Sequence, residues 1–197
     1  ERALRAVDDV VRDRRIDGYW KDVIAGSFME LLPEIYENEM LLREEGYIRS
    51  ETEKPMFGEP LPGIKLRGKI DRIDYFTDSV RIIDYKTGTA DLNCSQVRNG
   101  RVSLQLFLYA AMLKHQKYRV EMAGIYSLKD MKIKWCPQAR SSVKRKASTL
   151  IDDYITASLQ FLEEAVNNMR AGIFTAIPLN DYNCYNCHEN AFCPYIQ

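Results

Sequence analysis

Two aspartates and a lysine carry the first chemical signal in this chain of 197 residues. In VRIIDYKTG (Val80–Gly88) the apolar, β-branched Val80, Ile82 and Ile83 open a buried strand, and Asp84 and Lys86 arrive where the apolar pattern should continue. Side chains two apart share a strand face, so a carboxylate and an ammonium end one apolar row. Just upstream, IKLRGKIDRIDYF (Ile64–Phe76) is a second strand-like run carrying Asp71, and the turn-like TDS lies between the two. An antiparallel hairpin closed by a two- or four-residue loop puts Asp71 opposite Asp84, with Cβ atoms about 5 Å apart. Two carboxylates that close repel each other unless a cation lies between them. Hard oxygen donors favour Mg²⁺ or Mn²⁺ over zinc. Such an ion can hold a phosphoryl oxygen and acidify a water. Lys86 can orient or deprotonate that water, or stabilise charge on the phosphoryl oxygens. A solitary D-x-K reads as a surface ion pair; buried-strand surroundings and a second aspartate in register put the metal-site reading level with it.

The elements around this hairpin follow from periodicity. Residues 2–16 form a short charged helix, and residues 20–45 carry apolar side chains at helical spacing, with Pro33 a kink or break. EKPMFGEPLPG (Glu53–Gly63) reads as loop with a little strand, because Pro and Gly punctuate it. SLQLFLYAAMLKHQ (Ser103–Gln116) is a helix, RVEMAGIYSL and MKIKWCP are two further strands, and a long helix runs from about Val143 to Arg170. Helices, strands, helix, strands, helix and a cysteine-rich tail make an α/β fold in a single domain over 1–197, with residues 180–197 as the tail. Chain length suffices for a sizeable core. The first residue is Glu1 rather than Met, so the expectation is a fragment of a longer polypeptide.

Lys plus Arg (28) balance Asp plus Glu (28), and the formal net charge is zero. A free-standing nucleic-acid binder is usually basic, so a nucleic-acid substrate here implies that other domains or subunits deliver it. No apolar run is long enough to span a membrane, and the first residues given do not read as a signal peptide. The five cysteines are Cys94, Cys136, Cys184, Cys187 and Cys193. An odd count clustered at one end suits a reducing cytoplasm and a metal site better than a secreted disulfide framework. Cys184-x₂-Cys187-x₅-Cys193-Pro offers soft donors for zinc or an iron–sulfur cluster, and spacing alone does not choose. Cys94, Cys136, Trp20 and Trp135 read as packing residues, His115 ends a helix, and SSVKRKAS (Ser141–Ser148) reads as a solvated helix start.

GKID (Gly68–Asp71), IIDYKTG (Ile82–Gly88) and QLFLYA (Gln105–Ala110), in that order, resemble the PD-(D/E)XK nucleases of the RecB and AddB type. CYNCHENAFCPY (Cys184–Tyr195) is similar to the C-terminal end of their iron–sulfur members. The resemblance implies a restriction-endonuclease-like core, a mixed central sheet flanked by helices. It implies Asp71 and Asp84 as metal-binding carboxylates, the Tyr85 backbone carbonyl as a further metal ligand and Lys86 as catalytic lysine. Gln105 and Tyr109 match its Q-x-x-x-Y motif, an i, i+4 pair on one helical face that can meet the DNA backbone or buttress the site. Where these nucleases often carry G-x-x-x-H, GSFME places Glu30, an oxygen donor suited to Mg²⁺. The resemblance selects a [4Fe–4S] cluster on Cys184, Cys187 and Cys193. Its fourth ligand is either a cysteine upstream in a longer chain or a substitute, His188 or Cys136, around zinc.

The implied activity is an Mg²⁺- or Mn²⁺-dependent exonuclease acting on single-stranded DNA ends and leaving a 5′-phosphate and a 3′-hydroxyl. Its setting would be double-strand-break processing and recombination repair in the cytoplasm, beside a helicase domain or partner subunit. A CRISPR-adaptation nuclease of the same fold and a catalytically silent scaffold are the competing readings.

Overall fold

The structure is a computed structural model, and it describes residues 2–14, 17–89, 92, 104–136, 147–174, 184, 187 and 193. Cys94, His188 and Ser141–Lys146 of the basic cluster lie outside them. Helix α1 (Arg2–Arg14) packs on α2 (Gly18–Glu44), burying Val7 and Val11. Asp17 caps α2, its carboxylate accepting the Tyr19 N–H at 2.8 Å. Pro33 lies inside α2 and does not end it. Pro33 and Met29, whose carbonyl loses its helical partner, are both exposed, so water can satisfy that oxygen.

Five strands follow: β1 (Arg49–Leu61), β2 (Ile64–Tyr75), β3 (Val80–Lys86), β4 (Val120–Ser127) and β5 (Lys132–Cys136), with α3 (Leu104–His115) between β3 and β4 and α4 (Ala147–Arg170) after β5. They form one mixed sheet in sequence order. Among the described residues only β3 and β4 pair in parallel, because α3 carries the chain back across the sheet between them. The expected loop at 53–63 is instead the greater part of β1, a strand of 13 residues. Pro55 and Pro60 are tolerated because β1 is the edge of the sheet, where a missing N–H costs no ladder bond.

One face of the sheet is dry. Ile73, Val80, Ile82, Ala123 and Ile125 are buried with Leu106, Phe107, Ala110 and Leu113 of α3 and Ile151, Tyr154 and Ile155 of α4. The other face meets the C-terminal half of α2 through a smaller cluster of Leu42, Ile83, Tyr126 and Met131. Asn38 of α2 also donates to Tyr126 Oη (3.1 Å) and to the Met131 carbonyl (2.9 Å). Among the described residues no helix is long and apolar enough to cross a membrane.

Candidate active site

The β2–β3 hairpin closes through four residues, Phe76–Ser79, and pairs Tyr75 with Val80, Ile73 with Ile82 and Arg72 with Ile83. The next step of that register sets Asp71 against Asp84. There the ladder stops, and a side chain takes over: Asp71 Oδ2 accepts the Tyr85 N–H at 2.9 Å. That bond fixes one carboxylate against the strand that carries the other.

The alternation of β2 also changes at this point. Leu66 and Ile70 pack into the dry core, and three residues after Ile70 so does Ile73. Asp71 sits where the buried face switches from even to odd positions. On β1, Thr52 pairs with Arg72 and Lys54 with Ile70, while Glu53 between them drops out with φ +53°. An extra residue in each strand bends the ribbon without changing its register, as bulges do beside active sites.

Asp84 is nearly buried, and its Oδ2 lies 2.7 Å from Lys86 Nζ. The two occupy i and i+2 of one strand face, so extended geometry alone brings them together. Lys86 is half exposed at the strand end. Next to it β4 buttresses the strand. Lys86 is paired with Ser127, whose hydroxyl donates to the Gly88 carbonyl at 2.8 Å, and the Lys86 carbonyl accepts the Leu128 N–H.

Helix α3 supplies the third wall. Gln105 Nε2 donates to Tyr109 Oη (3.2 Å), which in turn accepts the Lys69 N–H (3.2 Å) two residues before Asp71. Tyr109 reaches that amide because position 68 has no side chain. A Cβ at Gly68 would lie 2.5 Å from Tyr109 Cε1. In this arrangement Gln105 and Tyr109 brace the β2 backbone.

Glu30 is exposed on α2. Among the described residues no three His, Cys, Asp or Glu side chains gather as a metal-holding group, so Glu30 does not join Asp71 and Asp84. Two carboxylates still suit Mg²⁺, which keeps waters and takes further oxygens from substrate. Of the tail, Cys184, Cys187 and Cys193 are described. The Cys187 N–H donates to the Cys184 carbonyl (3.3 Å), the one-turn closure that a C-x₂-C spacing permits. Cys136 is fully buried in the core.

Sequence reasoning missed the support beneath the site. On the α2 face, Arg72 is buried and its Nε lies 2.7 Å from Asp74 Oδ1. Its Nη1 bonds Glu39 of α2 and donates to Tyr85 Oη at 3.3 Å, and Tyr47 lies under the guanidinium. Burial opposes the Arg72 charge, yet Asp74, Glu39 and Tyr85 together hold its pKa well above the ordinary value. Burial raises the Tyr85 phenol. Tyr85 is thus held at both ends, its N–H by Asp71 and its hydroxyl by Arg72. The available signal was DRID itself: charges on both faces of a strand with apolar flanks.

The sequence model of the PD-(D/E)XK nuclease superfamily matches residues 1–195. The chain belongs to that superfamily. No curated protein matches. A solved structure, "Crystal structure of SSO0001", is similar over 97% of this chain and 85% of its own, at 16% identity and a TM-score of 0.39. The mixed sheet flanked by helices is the restriction-endonuclease-like architecture of the superfamily, whose members are generally metal-dependent nucleases.

Proposed function

We propose that this PD-(D/E)XK domain is a deoxyribonuclease that uses Mg²⁺ or Mn²⁺ and acts exonucleolytically on single-stranded DNA ends. One observation carries the reading: Asp71, Asp84 and Lys86 converge where the β2–β3 ladder ends. Asp71, Asp84 and the Tyr85 carbonyl would hold the cation. The bound ion would supply Lewis-acid polarisation of a phosphoryl oxygen.

The protein's own residues do the rest. Lys86 neutralises Asp84, and the half-exposed ammonium can swing to a phosphoryl oxygen when another cation takes over that carboxylate. There it stabilises the charge that grows during in-line attack. Tyr109 and Gln105 keep the β2 backbone in place, so the Asp71 carboxylate stays aimed. Arg72 holds the Tyr85 ring from the far face.

The finer setting follows from the motif resemblance. An AddB- or RecB-like helicase–nuclease would feed the strand, in keeping with zero net charge, and would act in recombination repair in the cytoplasm. Cys184, Cys187 and Cys193 would carry a [4Fe–4S] cluster whose fourth thiolate comes from an upstream segment. Its role would be structural, bracing the tail.

The test is cleavage of end-labelled single-stranded DNA with Mg²⁺ or Mn²⁺ by the parent and Asp84→Ala. Loss of at least 100-fold in the variant, with an unchanged melting profile, is expected for a metal ligand. Equal cleavage by both would place the activity elsewhere.

A further inference from the structure

Helix α2 is apolar on two sides, and the sheet covers only one of them. Towards the sheet it turns Ile35, Asn38, Glu39 and Leu42, which pack or bond there. On the side away from the sheet run Met29, Pro33, Tyr36 and Met40, in alternating steps of four and three. The line is about 16 Å long at 1.5 Å per residue. Met29 is 46% exposed, Tyr36 65% and Met40 41%, and Pro33 is exposed as well. A surface helix ordinarily turns a polar side to water. Helix α4 does so at the same spacing, where Thr156, Gln160, Glu163 and Asn167 are the exposed side chains. The α2 line instead has the pattern of a coiled-coil seam. Beside it stand Glu30, Glu37 and Glu44, one heptad apart and all exposed. Among the described residues these three form no ion pair, whereas Glu39 on the sheet side bonds Arg72.

We propose that this seam docks an amphipathic helix of another protein chain, one whose apolar stripe is edged by Lys or Arg. Charge selects the occupant. Phosphate, in a nucleic acid or a lipid headgroup, would be repelled by the acid row. A second copy fits no better, since antiparallel pairing about Glu37 sets that residue against its own counterpart and Glu30 against Glu44. A cationic edge answers all three acids. The seam residues suit such a partner. Unbranched Met adapts to the side chains that face it, and Tyr buries a large face at low entropic cost. Pro33 adds an acceptor, because the Met29 carbonyl has lost its helical N–H donor. Docking on this outer side does not depend on the nuclease reading.

The probe is a fluorescein-labelled synthetic helix of three heptads with Leu at a and d and Lys at e and g. Its counterpart carries Glu at e and g. Anisotropy at low ionic strength is followed for the parent, Tyr36→Ser/Met40→Ser and Glu37→Lys/Glu44→Lys, each first shown to melt like the parent. The parent should bind the Lys helix and not the Glu helix. Tyr36→Ser/Met40→Ser should weaken that binding at least about 10-fold, as loss of two anchors does. Glu37→Lys/Glu44→Lys should reverse the preference. Equal binding by the parent and Tyr36→Ser/Met40→Ser would mean that charge alone holds the probe, which overturns the seam. No binding by the parent, or an unreversed preference, overturns the basic partner. Sedimentation velocity and labelled dT20 test the other occupants. Self-association or DNA binding that is lost in Tyr36→Ser/Met40→Ser would assign the seam to a second copy or to nucleic acid and overturn the proposal.

Discussion

The two faces of the sheet are built on different physics. Beneath α3 and α4 the sheet is covered by Ile73, Ile82, Phe107, Leu113 and Ile151, each essentially without solvent exposure. Burial of such side chains is non-directional and contributes about 1.5–3 kcal/mol for each. On the α2 face, at the same level of β2, lie Arg72 and Asp74, nearly as buried and joined as an ion pair. A buried ion pair yields little net stability, because desolvation offsets most of the attraction. It does impose direction. Hydrogen bonds from one guanidinium hold Asp74, Glu39 and Tyr85 in fixed relation. The dry face holds the domain together, and the ionic face sets where Tyr85 and its neighbours Asp84 and Lys86 stand.

The sharpest way to break this comparison is to orphan the charge. Asp74→Ala should cost about 3–5 kcal/mol in urea unfolding, because Arg72 is left buried without its main partner. Replacing both, Arg72→Met with Asp74→Leu, should recover most of that stability while raising the Mg²⁺ concentration needed for half-maximal cleavage. Full recovery of both properties would mean that the ionic face has no positioning role. On the dry face a milder change should behave oppositely. Ile82→Val should cost about 0.5–1.5 kcal/mol and leave the metal requirement where it was.

The smallest effect concerns the rim of the dry face. Glu51 accepts from Lys54, Arg49 and Tyr75, and Lys54 first, then Arg49, hold its carboxyl at about 2 against an ordinary 4.5. A carboxylate depressed on folding stabilises fully above its unfolded value and loses that contribution as pH falls toward the folded one. The melting temperature should therefore decline from about pH 4.5 toward pH 2, with a shallower decline in Glu51→Gln. Solvent around this partly exposed cluster keeps the difference modest.

The same contrast separates what could be read from residue order. Strand alternation is local, so the Asp84–Lys86 pair was visible in DYK before any fold was known. A four-residue loop propagates a register over only a few residues, which is why Asp71 could be set against Asp84 by counting. An i, i+4 spacing likewise announced Gln105 beside Tyr109, and apolar periodicity announced α3, β4 and β5.

Tertiary structure decided the rest. Prolines made residues 53–63 look like loop, and only their place at the sheet edge, where no neighbour demands their N–H, allowed β1 to form. Pro33 did not end α2; it and Met29, whose carbonyl it orphans, are both exposed residues of the helix, where water is at hand. Glu30 carries a suitable donor but lies on an exposed part of α2, and helical spacing says nothing about which turn meets a sheet. The exchange of faces at Asp71 and the Arg72 cluster were hidden for one reason. Both depend on what packs against β2 from β1, α2 and α3, and long-range neighbours leave no period in the strand they contact. The chemistry of the candidate site was written in short-range order, and its orientation came from the surfaces that close around it.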